Sequence, residues 1–404
     1  MKAIILAGGE GKRMHPLTYT RPKAMVYAAG RPLLWHVLME VKKAGVSEAT
    51  VVVKYQKERI IDYFKQNDPG IKVEFVEQGE NYGTGAALLS AKESDSDRFL
   101  VVAGDIVTEA SVMKSVMDAH DKWITVAAKR SEKPERYGVL QVKNGLVSAV
   151  EEKSENPKGN LVNTSVYVMD RDVFNELEKI SPSLRGEYEL TDALVGAKCV
   201  ETEGFWMDVG YPWELFDAQD YLLSKMETKT GKVENCTVKG KLIMEDGAEI
   251  VDSYVDEGAH YIGAGTRIGP HSYLRGNNSI GRNCEIGEST TIKNSALFDR
   301  VKAKHLSYIG DSVIGENVNF GSGTQTANYR FDEGTVNMMT DAGWVNTGRK
   351  KMGCVVGDNV KFGVLSCVMP GKTIGNDCWI GSGVSVDENV GIAKHVLLKQ
   401  EKKM

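Results

Sequence analysis

From residue 262 onward, apolar side chains recur at every sixth position. Ile262, Ile268, Leu274, Ile280, Ile286 and Ile292 form one unbroken run, and Ile262, Ile268, Ile280 and Ile286 are each followed by glycine. After a slip the beat resumes at Tyr308, Ile314 and Phe320, and again at Val356, Phe362, Val368, Ile374, Ile380, Val386 and Ile392. A period of six fits neither the 3.6-residue turn of an α-helix nor any repeat built from helices. It is the period of a parallel β-helix, in which three hexads close one triangular coil and each aliphatic residue points into the prism. One hexad cannot bury its apolar residue alone, so the coils must stack.

The first half has a different rhythm. Short apolar runs at 3–7, 50–53, 72–76, 99–103, 125–128, 138–142 and 165–169 read as strands. Helical spacing covers 33–43, 57–65, 84–91 and 111–120. The alternation predicts an α/β domain with a mainly parallel, Rossmann-like sheet. Residues 213–226 read as a closing amphipathic helix and the polar stretch after it as a linker. The expected organisation is therefore an α/β domain over 1–226, a linker over 227–235 and a β-helix over 236–404. The formal net charge of −5 argues against a nucleic-acid partner, so any phosphate must be held by local cations. No apolar stretch approaches the 18 residues of a membrane span. The early Lys2 before a strand is unlike a secretion signal. The six cysteines (Cys199, Cys236, Cys284, Cys354, Cys367, Cys378) show no C-x-x-C pairing, which suits reduced thiols and a cytoplasmic setting.

The first strand runs into Leu6-Ala7-Gly8-Gly9-Glu10-Gly11, followed by Arg13 and, ten residues on, Lys23. Glycines let the backbone curl and aim its N–H groups at an anion. The spacing is neither that of the P-loop nor that of the dinucleotide fingerprint. The longer string L-A-G-G-x-G-x-R-M-x-P-L-T with Pro22-Lys23 beyond it resembles the signature of sugar-1-phosphate nucleotidylyltransferases. The resemblance implies that Leu6, Ala7, Gly8, Gly9 and Gly11 line a nucleotide, and that Arg13 and Lys23 act on its phosphates. It also implies that Asp105, in Val102-Ala103-Gly104-Asp105, and Asp208, in Trp206-Met207-Asp208, bind Mg²⁺. From the residues alone, an aspartate at a strand end can also serve a turn or a helix cap. Gln78 offers a donor and an acceptor on one amide, matching the edge of uracil or thymine. With Gly83 and Thr84 it would read the base of UTP or dTTP without ranking the two. The Gly83-Thr84-Gly85 string is similar to that of bacterial N-acetylglucosamine-1-phosphate uridylyltransferases. By the same resemblance, Gly138, Glu151 and Asn163 contact the sugar and Lys153 its phosphate.

The hexad half resembles the left-handed β-helix of hexapeptide acyltransferases, which usually pack as trimers. The stretch from Lys304 to Tyr329 resembles the acetyltransferase site of bifunctional enzymes that make UDP-N-acetylglucosamine. On that resemblance His305 is a general base, suited by an ordinary imidazole pKa near neutrality. Acetyl-CoA is then a co-substrate. Arg275, Lys293 and Tyr308 hold the phosphate of the amino sugar, and Asn319 and Asn328 contact the sugar. One departure stands out: the bacterial pattern has a glutamate where this chain has Thr291. Residues 331–352 interrupt the repeat, and Arg349, Lys350 and Lys351 within them are either a clasp for acetyl-CoA or substrate, or a solvated charge run. The leading expectation is a homotrimeric bifunctional enzyme acting on sugar 1-phosphates. The alternatives are a monofunctional thymidylyl or uridylyltransferase with the β-helix as an oligomerisation stalk, and a non-catalytic regulatory subunit. Glucosamine, galactosamine and glucose all remain open as the sugar.

Overall fold

A computed structural model describes residues 1–94, 96–183, 186–341 and 343–399. Two compact units are present. Met1–Glu10, Arg21–Met25 and Pro32–Asp208 form the first; Gly11–Thr20, Val26–Arg31 and Val209–Met404 form the second.

The first unit is built on a nine-stranded sheet. Lys72–Glu77, Glu48–Val53, Lys2–Leu6 and Arg98–Ala103 lie side by side and parallel. These strands are rich in Val and Ile because helices cover such a sheet on both faces. Leu33–Lys43 packs its buried Leu34, Val37, Leu38 and Val41 beneath it. Ala110–Ala119 contributes Val112, Met113 and Val116 to the same core. The sheet is mixed rather than mainly parallel. Leu161–Asp170 runs antiparallel to both Arg98–Ala103 and Ile124–Arg130, and the hairpin of Gly138–Lys143 and Leu146–Glu152 closes one edge. Side-chain periodicity reports which face a residue takes but carries no strand direction, which is why the sequence did not distinguish the two.

In the second unit the chain winds through three parallel sheets of nine, eight and seven strands, an arrangement that fits a parallel β-helix. Each complete coil visits each sheet once and pairs in register with the next, and the last turns are incomplete. Met244, Ile262 and Ile280 stand eighteen apart in one sheet, then Leu297 and Ile314 follow at seventeen. The prism is filled by Ile262, Ile268, Leu274, Ile280, Ile286 and Ile292, all buried, as the six-residue beat predicts. The beat after the slip needs correction. Ile309, fully buried, takes the inward place expected for Tyr308, whose ring lies on the outside of the coil. The shorter, seventeen-residue coils have shifted the register by one, and a one-residue shift exchanges the two faces of a strand. Near the end, Val390 packs on the core whereas Ile392 is exposed. The helix Glu214–Lys225 also belongs to this unit, and its buried Gln219 donates to the carbonyl of Asn277.

Residues 331–352 leave the coil between the strands Gln325–Thr326 and Val355–Val356 and fold into a hairpin, Asn337–Thr340 with Gly343–Asn346. Residue 342, within that stretch, lies outside the described residues. No helix among the described residues is long and apolar enough to cross a membrane.

Candidate active sites

In the first unit, Asp105 follows the carboxyl end of the parallel strand Arg98–Ala103, the edge where open α/β sheets place ligands. Asp208 arrives beside it because Trp206–Asp208 pairs antiparallel with Ile106–Thr108, setting Asp208 opposite Ile106. The indole Nε1 of Trp206 anchors that strand on the carbonyl of Thr164 at 2.7 Å. Lys23 bridges the two acids: its Nζ lies 2.6 Å from Asp105 Oδ2 and 3.1 Å from Asp208 Oδ1. Lys23 is buried, so the two carboxylates converge on one positive charge shielded from water. Two convergent carboxylate oxygens form a hard donor set of the kind that divalent cations such as Mg²⁺ prefer. The arrangement therefore fits a metal-assisted phosphate site.

The glycine loop leaves Lys2–Leu6, with Ala7 N–H donating to the Val52 carbonyl at 2.9 Å. Gly8 is where the loop meets Gln78: a Cβ on Gly8 would stand 2.5 Å from Gln78 Oε1, so any larger residue would have to displace that amide. Gly9 faces open space. Gln78 is buried, and its Nε2 donates to the Asn81 carbonyl at 2.8 Å, which fixes the plane of the amide. The loop that follows is held by Thr84, whose Oγ1 accepts the Leu190 N–H at 3.0 Å. Gly83 lies against the Tyr188 backbone.

The candidate sugar residues are only partly gathered. Asn163 is buried, donating to the Tyr167 hydroxyl at 2.7 Å and accepting the Ser165 N–H at 3.0 Å. Gly138 pairs in register with Glu152, and a Cβ on that glycine would stand 2.7 Å from Glu152 Oε2. Glu151, the predicted residue, instead accepts the Lys158 N–H at 3.0 Å and a bond from Gln141. Neighbouring residues of a strand face opposite ways, so Glu152 is the carboxylate beside Gly138. Lys153 Nζ stands 3.7 Å from it, on a half-exposed side chain.

Arg13 lies in the second unit with the segment Gly11–Thr20, its guanidinium 5.0 Å from the centroid of the Tyr211 ring.

Elsewhere in the second unit, Arg275 and Lys293 pair in register on adjacent coils, and Tyr308 stands one coil further on the same sheet. Lys293 is buried with Asp311, Nζ to Oδ2 2.6 Å. Asn328 donates to the Tyr308 hydroxyl at 3.0 Å and also to Asp311, while Asn294 donates to Asp311 Oδ1 at 3.2 Å. Burial pushes the Tyr308 hydroxyl pKa up, so it stays a donor. Asp311 thus organises Lys293, Asn294 and Asn328, a role that sequence reading missed. His305 ends the strand Lys302–His305 on the neighbouring sheet. Leu306 after it takes a left-handed backbone (φ 53°) and turns the corner. His305 pairs in register with Glu288, Nδ1 to Oε2 3.5 Å. Both line a cavity of about 460 Å³ with His271, Glu285 and Lys304. Glu288 was also missed: it is the carboxylate that stands beside His305, whereas Thr291 lies on the neighbouring sheet. Asn319 stands on the same sheet as His305, exposed and one coil further. Arg349 is not a free clasp residue, because it pairs with Asp217 at 2.5 Å and lies over the Phe216 ring.

The sequence profile of the Nucleotidyl transferase family matches residues 2–225, and that of the GMPPB C-terminal domain matches residues 256–369. The "Bifunctional protein GlmU" of Methanocaldococcus jannaschii is 42% identical, with 96% of each chain covered. The "Bifunctional sugar-1-phosphate nucleotidylyltransferase/acetyltransferase" of Sulfurisphaera tokodaii is 38% identical over 97% of this chain and 98% of its own. Among solved structures, a putative glucose-1-phosphate thymidylyltransferase from Bacillus anthracis superposes with a TM-score of 0.51 at 25% identity, covering 57% of this chain and 98% of that one. The chain belongs to the Nucleotidyl transferase family and, within it, to the bifunctional GlmU proteins of archaea.

Proposed function

We propose that this enzyme makes UDP-N-acetylglucosamine in two steps, one at each of two separate constellations. The reading is supported by two separate groupings of charged side chains: Lys23 with Asp105 and Asp208 in one unit, and His305 with Glu288 in the other. A stalk would have no use for the second, and a regulatory subunit would have no use for the first.

In the acetyl transfer, the 2-amino nitrogen of glucosamine 1-phosphate attacks the thioester carbon of acetyl-CoA. The C–N bond forms, the C–S bond breaks and CoA leaves as its thiol. His305 takes the proton that the nitrogen loses, and Glu288, its neighbour in register, orients the imidazole. Arg275 and Tyr308 receive the phosphate. Lys293, already balanced by Asp311, contributes as part of a fixed hydrogen-bonding wall rather than as a free charge. Asn319 and Asn328 contact the sugar.

In the nucleotidyl transfer, a phosphate oxygen of N-acetylglucosamine 1-phosphate attacks the α-phosphorus of UTP or dTTP and pyrophosphate leaves. Such a reaction asks the protein for alignment and charge neutralisation above all. The backbone from Leu6 through Ala7, Gly8 and Gly9 to Gly11 cradles the nucleotide, and Gln78, Gly83 and Thr84 hold the base. Lys23 and Arg13 stabilise charge on the phosphates. Asp105 and Asp208 would hold Mg²⁺, which supplies further neutralisation when bound. Gly138, Glu151, Lys153 and Asn163 remain the proposed sugar pocket, with Glu152 added to it.

We assign the nucleotidylyltransferase domain to 1–226, the linker to 227–235 and a left-handed β-helix to 236–404. The working form is a cytoplasmic homotrimer. The decisive experiment follows free CoA thiol with acetyl-CoA and glucosamine 1-phosphate, using His305→Ala as control. Release that is lost in the variant supports the second activity. Absence of release in the parent protein, with pyrophosphate still formed from UTP, would reduce the β-helix to a stalk.

A further inference from the structure

Lys54 directly follows the strand Glu48–Val53, and Gln78 directly follows its parallel neighbour Lys72–Glu77. Val53 stands opposite Glu77, and the Gln78 N–H donates to the Val53 carbonyl at 2.8 Å. The pairing brings both side chains to the carboxyl edge of the sheet, within the first unit, where both lie against Gly8. A Cβ on Gly8 would stand 2.5 Å from Gln78 Oε1 and 3.3 Å from Lys54 Cβ. The Lys54 ammonium donates to three successive carbonyls of the loop that leaves Gln78: Gly79 at 2.7 Å, Glu80 at 2.9 Å and Asn81 at 3.2 Å. An ammonium carries three protons, enough for all three. The exposed ring of Tyr82 covers the same Nζ, 3.6 Å from its centroid. The Asn81 carbonyl is shared. It also accepts from Gln78 Nε2 at 2.8 Å, and the Gly83 carbonyl stands 3.5 Å from the same nitrogen.

We propose that Lys54 is a positioning residue for base recognition: by gathering the Gly79, Glu80 and Asn81 carbonyls it locks the Gln78 amide in one of its two orientations, which selects a pyrimidine bearing an N3–H over cytosine. This rests on the reading of Gln78 given above. Carbonyl oxygens that converge repel one another unless a cation lies between them. With the ammonium in place, Gln78 Nε2 faces two carbonyl oxygens and Oε1 is left on the side of Gly8. Turning the amide over would set Oε1 against those carbonyls, acceptor against acceptor. A fixed Oε1 accepts the N3–H of uracil or thymine. Cytosine presents a bare N3 at that place, so two acceptors would meet and the base is rejected. Lys54 acts through Gln78, so its effect falls on nucleotide recognition.

The test uses the full-length protein carrying Lys54→Met, which keeps an aliphatic stem against Gly8 and removes the donors. Pyrophosphate formation is followed with UTP and with CTP, and the parent should strongly prefer UTP. Lys54→Met should raise KM for UTP about tenfold with kcat nearly unchanged, and should narrow the UTP-to-CTP ratio of kcat/KM about tenfold. KM for the sugar phosphate should stay at the parental value. In a Gln78→Ala background Lys54→Met should narrow the ratio no further, because it acts through that amide. A uniform loss with both nucleotides, or a further narrowing on top of Gln78→Ala, would make the contacts merely structural and overturn the proposal. An unchanged ratio in Lys54→Met beside a narrowed one in Gln78→Ala would overturn it while sparing the role of Gln78. A parent that uses the two nucleotides equally, or a Gln78→Ala variant that keeps the parental ratio, would remove that role, and the proposal with it.

Discussion

At the scale of single residues, charge placement separates the two activities. Lys23 bridges Asp105 and Asp208 in the first unit, and removing one acid takes away one of the carboxylates that balance a buried ammonium. Asp105→Ala should lower pyrophosphate release by at least ~100-fold, the scale of losing one electrostatic group at a reacting centre, while CoA release stays at the parental rate. Loss of both activities in a folded protein would contradict two independent sites. His260 provides a readout of stability instead. It is fully buried between Asn278, 3.1 Å from its Nδ1, and the Asp256 carbonyl, and burial lowers its pKa to about 4. The unfolded chain, with an ordinary imidazole near 6.5, binds the proton that the folded chain refuses. Stability should therefore be full above pH 6.5 and fall as the pH drops toward about 4, by on the order of 3 kcal/mol from this group. Denaturant midpoints of the parent and of a His260→Asn variant across that range would check it; parallel curves would exclude His260 as the source.

At the scale of elements, the coil register makes a sharp comparison possible. Ile309 is fully buried, so Ile309→Ala should cost about 2–5 kcal/mol. Tyr308→Ala, which removes an outward ring and one hydrogen bond to Asn328, should cost markedly less, near ~1 kcal/mol. Thermal or urea unfolding ranks the two, and the opposite order would restore Tyr308 to the core. The slip was legible in part. Ile309 and Ile314 each precede a glycine, the same cue that marks Ile262 and Ile280, and following that cue rather than strict counting would have placed Ile309 inside. The beat itself, the helices from Leu33–Lys43 to Glu214–Lys225, and the strand ends bearing Leu6 and Asp105 could all be read from periodicity and turn residues. Glu288 and Asp311 could not. Their partners His305 and Lys293 lie seventeen and eighteen positions away, so each pair becomes neighbours only once the length of one coil is known. The antiparallel course of Leu161–Asp170 was hidden for a related reason: it is set by the connections, not by the strand's own residues.

At the scale of the whole molecule, the last coils expose Leu365, Trp379, Leu397 and Leu398, an apolar surface that suits self-association. Light scattering should give three times 44.3 kDa, and a species of 44.3 kDa would exclude the trimer. The interruption of the stack has a consequence for how the chain reaches this state. Most coils close on a partner seventeen or eighteen residues away, but Ile314 must wait for Val356, forty-two positions on. Closure entropy grows only with the logarithm of the distance, so the longer wait costs less than about 1 kcal/mol extra. Nucleation can start among the coils before the gap or among those after it, and the gap then joins two blocks already formed. Evolution can thus lengthen, shorten or redecorate that one excursion with little penalty to folding, which makes it the most freely adjustable piece of an otherwise rigid ladder.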